Sequence, residues 1–447
     1  MSNPMENITS RLGGCNVAEA SQTSGKKLVL RQLTRREEGV VHVRLADQQA
    51  DPNSPLYSVK SFEELGLSRK LLMGLYAMPY TKPSKFQERA LPLLINDPPK
   101  NMIGQSQSGT GKTATIVLTM LTRLNLGLEA PQAICLAPSR ELACQIIDVL
   151  QEMGKFTGVT STLAIRELLV RDAPIYSQVV IGTPGTVCGV IRRKQLSVEA
   201  IKILVLDEAD EMLDSASLGD QGIRIKRCIP GNPQLVLFSA TLPEHVRNFA
   251  NQFASGANEI SLRREDLSAN AIKQFYMVCE SDEHKYETLC NIYNLLTVSQ
   301  SIIFCERRDT SDEIARRMIE QGHLVKSLHG TMLPDERDRL MDGFRRGIFK
   351  VLISTNVIAR GIDIPQVSLV INYDLHFDKF HIIDFESYLH RIGRTGRFGR
   401  TGVSIILIDS KKAWDGMKRI ERHFGKEIAH VPTDDWQNVE NFFKGVI

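Results

Sequence analysis

The chain has 447 residues, of which 42% are hydrophobic and 24% are charged, and its formal net charge is +3. This length predicts two domains of roughly 200 residues with a short extension, and the composition excludes a disordered or fibrous protein. The small net charge excludes binding of a polyanion through bulk electrostatics, because nucleic-acid-binding domains usually concentrate basic residues.

The first 55 residues are polar and contain no apolar segment of the signal-peptide type. We predict that residues 1–55 form a mostly flexible extension, in which Arg31 to Gln49 is the segment best suited to an amphipathic helix. No apolar run approaches the ~18 residues of a membrane span, so we expect an intracellular protein. The eight cysteines form no C-x-x-C pair, which disfavours a zinc site or a disulfide framework.

Short apolar runs alternate with helical patterns from Phe62 onward. NMIGQ, QAICLAP, QVVIGTP, IKILVLDEAD and QLVLFSAT form one series, and SIIFCE, HLVKSLHG, KVLISTN, VSLVINYD and GVSIILID form a second. Such runs, rich in Val, Ile and Leu, are typical of buried parallel strands between crossover helices. The sequence predicts an α/β fold with two parallel-sheet domains, residues 56–258 and 259–447, and a ligand cleft between them.

The segment IGQSQSGTGKT, Ile103 to Thr113, resembles a phosphate-binding loop, although Ser106 occupies the position of the first glycine in the strict pattern. Its glycines let backbone N–H groups approach phosphate, Lys112 supplies a positive charge, and Thr113 places a hydroxyl for Mg²⁺. The residues expected to bind the nucleotide are Ser106, Gln107, Ser108, Gly109, Thr110, Gly111, Lys112 and Thr113.

Acidic and hydroxyl residues follow two later strands of the first series. Asp207 and Glu208 come directly after IKILVL, at the sheet edge where ligands bind in parallel α/β domains. We expect Asp207 to share Mg²⁺ with Thr113, partly through water, and Glu208 to accept a proton from the attacking water. Ser239 and Thr241, after LVLF, are expected to hydrogen-bond the acidic cluster and couple it to the second domain.

Three arginines recur at intervals of three in YLHRIGRTGRFG, namely Arg391, Arg394 and Arg397. On a helix this spacing places them on one face. Opposite the phosphate loop they would stabilise charge on the transferring phosphoryl group, an effect worth about 10³ or more in rate. The sequence therefore predicts hydrolysis that depends on closure of the two domains.

The segments SQSGTGKT, LDEAD, SAT, ARGID and HRIGRTGR occur in the order of the motifs of DEAD-box RNA helicases, which the chain resembles over about residues 57–430. The resemblance implies two tandem RecA-like domains with the active site in the interdomain cleft. It also implies an RNA-dependent ATPase that uses ATP and Mg²⁺ and remodels RNA locally, and it adds His390 to the catalytic set.

The same resemblance assigns residues around the base and the ribose of ATP. Gln87 would read adenine, since a side-chain amide can bond N6 and N7 together. Tyr80 would stack on the base, and Phe62 would support that loop. Gly361 and Asp363 of ARGID would lie near the nucleotide, with Asp363 at the ribose.

An RNA path is also implied by the resemblance, and it explains RNA binding without sequence preference, because helix N-termini and backbone amides grip phosphates rather than bases. Its residues would be Pro138, Arg140, Glu141, Thr183, Gly185 and Thr355. The chain departs from the family pattern at Pro79, Phe86 and Ser139. The segment LAIRELLVRDAPIYSQ also lacks the glycine pair or Arg-Gly turn usual on the RNA side.

A narrower resemblance links the chain to the mRNA-export DEAD-box helicases of the nuclear pore. It rests on Ser106, on the insert HFDKFHIIDFES and on the ending HFGKEIAHVPTDDWQNVE. It implies a cytoplasmic and nuclear protein that acts on messenger ribonucleoprotein at the cytoplasmic face of the pore. It further implies an export factor that uses inositol hexakisphosphate, a docking nucleoporin, and an inhibitory N-terminal segment for which Arg31 to Gln49 is the candidate. We expect a monomer, because two domains with an internal active site need no partner to complete that site.

Two other classes of function use similar residues. A DNA translocase would share the two-sheet engine, but the DEAD form of the acidic motif and the lack of an extra strand-separating domain disfavour it. A non-catalytic RNA clamp would bind ATP without turnover, and the presence of Glu208 with the cross-cleft arginines disfavours it.

Overall fold

The computed structural model describes residues 41–46, 58–78, 80–106, 109–170, 172–214, 218–262, 272–295, 300–356, 367–378, 381–396 and 402–433, together with Trp436 and Val439. Two separate sheets lie within these residues, one of eight strands and one of seven. Within the same residues, no helix has the length and apolar character needed to cross a membrane.

The first sheet has the strand order β1-β8-β2-β7-β6-β3-β5-β4. Its strands are β1 (Val41–Arg44), β2 (Met102–Gln105), β3 (Ala133–Leu136), β4 (Ser161–Ala164), β5 (Val179–Gly182), β6 (Ile203–Leu206), β7 (Gln234–Ser239) and β8 (Asn258–Leu262). The associated helices are α1 (Arg69–Ala77), α2 (Lys85–Ile95), α3 (Lys112–Arg123), α4 (Arg140–Gly154), α5 (Pro184–Arg192), α6 (Ala209–Asp214), α7 (Leu218–Cys228) and α8 (Glu244–Phe253). Its described strand pairs are parallel, apart from β1 with β8.

The second sheet has the order β11-β12-β10-β13-β14-β9-β15, with parallel pairing throughout the described ladders. Its strands are β9 (Ile272–Val278), β10 (Gln300–Phe304), β11 (Val325–Leu328), β12 (Val351–Ser354), β13 (Val367–Asn372), β14 (Gly402–Ile408) and β15 (Ala429–His430). The associated helices are α9 (Asp282–Leu295), α10 (Arg308–Glu320), α11 (Pro334–Arg345), α12 (Phe385–Ile392) and α13 (Lys411–Phe424). The predicted class, two tandem parallel sheets flanked by helices, is confirmed.

The central strands are apolar along their whole length because helices cover both faces of the sheet. Ala133–Leu136, Val179–Gly182 and Ile203–Leu206 are buried at every residue. Burial on both faces requires continuous apolar runs rather than alternation. The polar residues that follow these runs therefore emerge together at the carboxyl edge of the sheet, where they form the site.

The structure differs from the sequence prediction in the N-terminal extension and at the end of the first domain. Val41–Arg44 belong to the extension that the sequence predicts to be mostly flexible, with Arg31 to Gln49 as a candidate helix, but they form the strand β1 and pair antiparallel with β8. The rest of that segment lies largely outside the described residues. Alternation of half-buried valines with exposed polar residues in VHVR fits an edge strand. β8 itself runs to Leu262, so the first sheet continues beyond the predicted boundary at residue 258.

Candidate active site in the interdomain cleft

The phosphate loop joins β2 to α3. Gly111 caps the helix with φ of 96°, a left-handed conformation that favours glycine. A Cβ at this position would lie 2.7 Å from Nε2 of Gln87. Ser106 N–H donates to the carbonyl of Ser239 at 3.0 Å, which ties the loop to the end of β7. Gln107 and Ser108 lie outside the described residues.

Gln87 connects the predicted adenine side of the site to the phosphate loop. Its Oε1 accepts from Ser84 N–H at 2.9 Å in a capping box at the start of α2, and its Nε2 donates to the carbonyl of Gly111 at 3.2 Å. Tyr80 is half-buried against the first core, whereas Phe62 is fully buried within it. Adenine reading by Gln87 and stacking by Tyr80 stay predictions.

Replacing Gln87 with alanine is expected to raise the KM for ATP about tenfold with a smaller change in kcat. One hydrogen bond to the phosphate loop and one at the start of α2 would be lost, at about 0.5–1.5 kcal/mol each. Steady-state ATP titrations measure this effect, with Gln252→Ala, an exposed glutamine on α8, as the matched control. An unchanged KM in Gln87→Ala would contradict the proposed connection.

An acidic cluster lies at the carboxyl end of β6. Asp207, Glu208 and Asp210 are all buried, and Glu208 N–H donates to Oδ1 of Asp207 at 3.0 Å. Glu208 has φ of 53°, a conformation that non-glycine residues adopt rarely and that is frequent at functional sites. The chain therefore turns sharply at Glu208.

The hydroxyls of Ser239 and Thr241 lie beside the third carboxylate of this cluster. Oδ2 of Asp210 accepts from N–H and Oγ1 of Thr241 at 3.1 and 3.0 Å, and Asp210 N–H donates to Oγ of Ser239 at 3.3 Å. These contacts place the end of β7 against the start of α6. Coupling through them to the second domain stays a prediction.

The electrostatics of this edge fit a site for phosphate and a cation. Burial raises the pKa of Asp207 to about 7, while the charge of Lys112 opposes the shift and Glu208 adds to it. Nζ of Lys112 and Oε2 of Glu208 are buried without a hydrogen-bond partner among the described residues. Buried polar atoms are normally paired, so both suit partners that a bound nucleotide would bring.

Mg²⁺ would fit beside these buried acidic residues and would need few protein ligands. It prefers oxygen donors and usually binds through one or two carboxylates, water and substrate phosphates. Thr113, the second residue of α3, and Asp207, at the end of β6, are the residues proposed to hold it. A bound cation would also offset the cost of burying several carboxylates together.

Residues of the second domain reach the acidic cluster across the cleft. His390 is buried, and its Nε2 lies 3.5 Å from Oδ2 of Asp210. Arg394 is also buried, and its Nε donates to the carbonyl of His390 at 3.1 Å. The structure thus brings His390 to the acid motif of the first domain. Arg397, Gly361 and Asp363 lie outside the described residues.

The spacing of the arginines predicts one shared helical face, but Arg391 and Arg394 do not share one. Helix α12 ends at Ile392, so Arg394 lies beyond its end and the helical argument fails for it. Arg391 turns into its own domain, where its guanidinium donates to Oδ1 of Asn356 at 2.9 and 2.6 Å and to the carbonyl of Asp374 at 2.6 Å. Burial lowers the pKa of Arg391 to about 10, although Asp374 opposes the shift. Its placement favours a supporting role in the second domain.

Replacing Arg391 with lysine is expected to destabilise the second domain by about 3 kcal/mol. A single ammonium cannot reproduce the planar fork that contacts Asn356 and Asp374, and a broken buried network leaves polar groups unpaired. Urea unfolding measures the loss, with the exposed Arg316→Lys as control, since Arg316 forms ion pairs with Glu313 and Glu320 of its own helix. If Arg391→Lys and the wild type unfold at the same urea concentration, Arg391 does not stabilise the second domain through this network.

The predicted RNA residues of the first domain lie at two adjacent helix N-termini. Thr183 precedes α5 and Ser139 caps α4, and the preceding strands β5 and β3 are neighbours. Thr355 follows β12 in the second domain. The side chains of Arg140 and Glu141 instead form ion pairs with Asp338 and Arg337 of α11. Sequence reasoning missed both partners, because only the docking of the two domains brings them to α4.

Two family models match the chain. That of the DEAD/DEAH box helicase matches residues 84–249, and that of the helicase conserved C-terminal domain matches residues 284–399. The ATP-dependent RNA helicase dbp5 of Schizosaccharomyces pombe is 57% identical over 407 residues, which cover 91% of this chain and 81% of that relative.

Solved structures of S. cerevisiae Dbp5 are similar to the chain over most of its length. Dbp5 bound to RNA and ADP BeF3 matches with a TM-score of 0.84 and 52% identity, covering 87% of this chain and 100% of that one. A Dbp5 variant bound to Nup159, Gle1, IP6 and ADP matches with a TM-score of 0.64 and 50% identity, covering 85% of this chain and 99% of that one.

Proposed function

The chain belongs to the DEAD/DEAH box helicase family, and we propose that it is an ATP-dependent RNA helicase that closes on RNA and remodels it locally. The observation that carries this proposal is the approach of His390 to Asp210 across the cleft. Asp210 is also hydrogen-bonded by Thr241, so the acid motif, the end of β7 and the second domain meet at one carboxylate. Closure of the domains and completion of the site are therefore the same event.

Each part of the site has a distinct task in ATP hydrolysis. The backbone of the phosphate loop and Lys112 bind the phosphates, Glu208 takes the proton of the attacking water, and Arg394 with Arg397 supplies positive charge from the second domain. Mg²⁺, when bound, neutralises charge on the phosphates. His390 fixes the second domain against Asp210, so turnover is low until the domains close.

RNA promotes this closure because its path includes residues of both domains. The N-termini of α4 and α5 offer backbone N–H groups to phosphates from the first domain, and Thr355 continues the path in the second. An RNA strand that contacts both domains binds the closed state more tightly than the open state. This difference in affinity shifts the protein toward the closed state. Hydrolysis then releases the RNA, which gives local strand separation rather than processive unwinding.

We further propose that the chain acts in mRNA export from the nucleus. The support is the similarity to Dbp5 proteins and to the Dbp5 complex with Nup159, Gle1 and IP6. An export factor of the Gle1 kind, with inositol hexakisphosphate, would activate the ATPase, and a nucleoporin of the Nup159 kind would hold the protein at the cytoplasmic face of the pore. The protein would then move between nucleus and cytoplasm.

Strand separation tests the helicase proposal. ATP should release the short strand of an RNA duplex of about ten base pairs, because a few unpaired steps at ~1.4 kcal/mol each leave the rest unstable. A DNA duplex of the same sequence should stay paired. If ATP releases a strand from neither duplex, or releases strands equally from the RNA and the DNA duplex, the protein is not an RNA helicase.

A further inference from the structure

Arg140, the first residue of α4, contacts two carboxylates that belong to different domains. Its Nη1 donates to Oε2 of Glu167 at 2.8 Å, within the first domain. Its Nε donates to Oδ1 of Asp338 at 3.4 Å, and its Nη2 pairs with Oδ2 of the same residue, in α11 of the second domain. The side chain of Arg140 is only 10% exposed. One guanidinium thus spans the two domains.

The next residue of α4 forms a second ion pair with the same helix. Glu141 pairs with Arg337, and their side chains are 5% and 15% exposed. The charges are reversed from one pair to the next, since Arg140 and Glu141 face Asp338 and Arg337 respectively. This complementarity fixes how α11 docks on the N-terminus of α4.

Glu167 lies in the segment where the chain departs from the pattern of its family. It follows β4 in IRELL, where a glycine-containing turn is usual, and its side chain is 40% exposed. A guanidinium carries its N–H donors in a fixed planar fork. Once Glu167 binds Nη1, the Nε and Nη2 edge of Arg140 is oriented toward the second domain.

Orientation before docking reduces the entropy lost on closure, because a long, flexible side chain is already fixed. The protonation of Arg140 is secure in this position. Burial alone would lower its pKa, but the hydrogen bond and charge of Asp338, with a smaller contribution from Glu167, raise it above the ordinary value.

We propose that Glu167 is a positioning residue for domain closure, which holds Arg140 so that it receives Asp338 of the second domain. The proposal rests on the proposed function, in which closure precedes hydrolysis. It assigns Arg140 in the closed state to a bridge between domains rather than to an RNA phosphate. Glu167 therefore sets how much RNA is needed to close the protein.

Replacing Glu167 with glutamine tests this role. The RNA concentration that gives half-maximal ATPase should rise about threefold, the scale expected for a partly exposed ion pair, because RNA affinity falls with the fraction of closed protein. The kcat at saturating RNA and the urea unfolding midpoint should match the wild type. Glu313→Gln, which alters an exposed carboxylate paired with Arg316 within α10, is the control and should change neither quantity.

A double-mutant cycle locates the effect at Arg140. Glu167→Gln and Asp338→Asn act through the same guanidinium, so their combined effect should be smaller than the product of the single effects. Independent, multiplicative effects would overturn the proposal. A lower half-maximal RNA concentration in Glu167→Gln would also overturn it, since it would mean that Glu167 withholds Arg140 from RNA.

Energy transfer between dyes on the two domains separates this inference from the helicase proposal. With a non-hydrolysable ATP analogue and no RNA, the closed-to-open ratio should fall about threefold in Glu167→Gln. Equal ratios in variant and wild type would overturn the positioning role even if the ATPase is active. A wild type that closes but shows no RNA-stimulated ATPase would refute the proposed function and leave the positioning role to be decided by the ratios.

Discussion

Glu208→Gln is expected to reduce ATP turnover by a factor of about 10²–10⁴ while ATP-dependent RNA binding persists. Glu208 is buried, and its Oε2 has no hydrogen-bond partner among the described residues. Glutamine keeps the shape of the side chain but cannot take a proton, and loss of a general base costs this much in rate. Lys112 and the phosphate loop stay intact, so the closed complex with ATP and RNA should accumulate.

Two measurements distinguish this result from a general loss of the site. Single-turnover hydrolysis reports the chemical step, and fluorescence anisotropy of labelled RNA with ATP reports binding. Glu211→Gln, a neighbour on α6 that lies outside the proposed chemistry, is the matched control and should hydrolyse ATP normally. Loss of RNA binding together with turnover in Glu208→Gln would refute its role as base.

Lys112→Met is expected to weaken ATP binding by about 10- to 100-fold, the reverse of the pattern at Glu208. The Lys112 ammonium is buried without a hydrogen-bond partner among the described residues, so its removal breaks no hydrogen bond within that part of the protein. It would remove a charged hydrogen bond to phosphate, worth about 1.5–3 kcal/mol. Methionine preserves most of the side-chain volume, and the fold should persist.

Calorimetry of ATP binding to Lys112→Met measures this loss directly. Lys112→Arg, which keeps the charge with a different shape, should bind ATP better than Lys112→Met. Unfolding by urea in the absence of nucleotide should give the same midpoint in all three proteins. If Lys112→Met binds ATP as tightly as the wild type, the loop is not the phosphate site.

Much of the fold could be predicted from sequence because the central strands are buried on both faces. Ile203–Leu206 has no exposed residue, and only a continuous apolar run satisfies that position. The edge strand Val41–Arg44 could not be predicted in this way. It pairs with β8, and the Arg44–Glu259 contact spans 215 residues, so the local pattern of a polar, mixed-charge segment carries no sign of its partner.

The residues of the site likewise divide into those that the local sequence predicts and those whose contacts depend on distant parts of the chain. Lys112, Asp207 and Glu208 could be predicted from the sequence because they lie in segments that follow strands, and the loops at the carboxyl ends of parallel strands lie together at one edge of the sheet. The network of Arg391 depends on Asn356 and Asp374, which belong to other strand ends of its own domain. The contacts of Arg140 and Glu141 depend on how two domains dock, and spacing within one motif contains no information about docking.

Stimulation of ATP hydrolysis by RNA tests the central claim most directly. The steady-state rate should be low without nucleic acid and rise strongly with single-stranded RNA, while single-stranded DNA of the same sequence has little effect and Glu208→Gln gives the background. This result follows if binding of RNA closes the two domains and so brings His390 and Arg394 to the acid motif. Equal stimulation by DNA, or a rate that RNA does not change, would contradict the account.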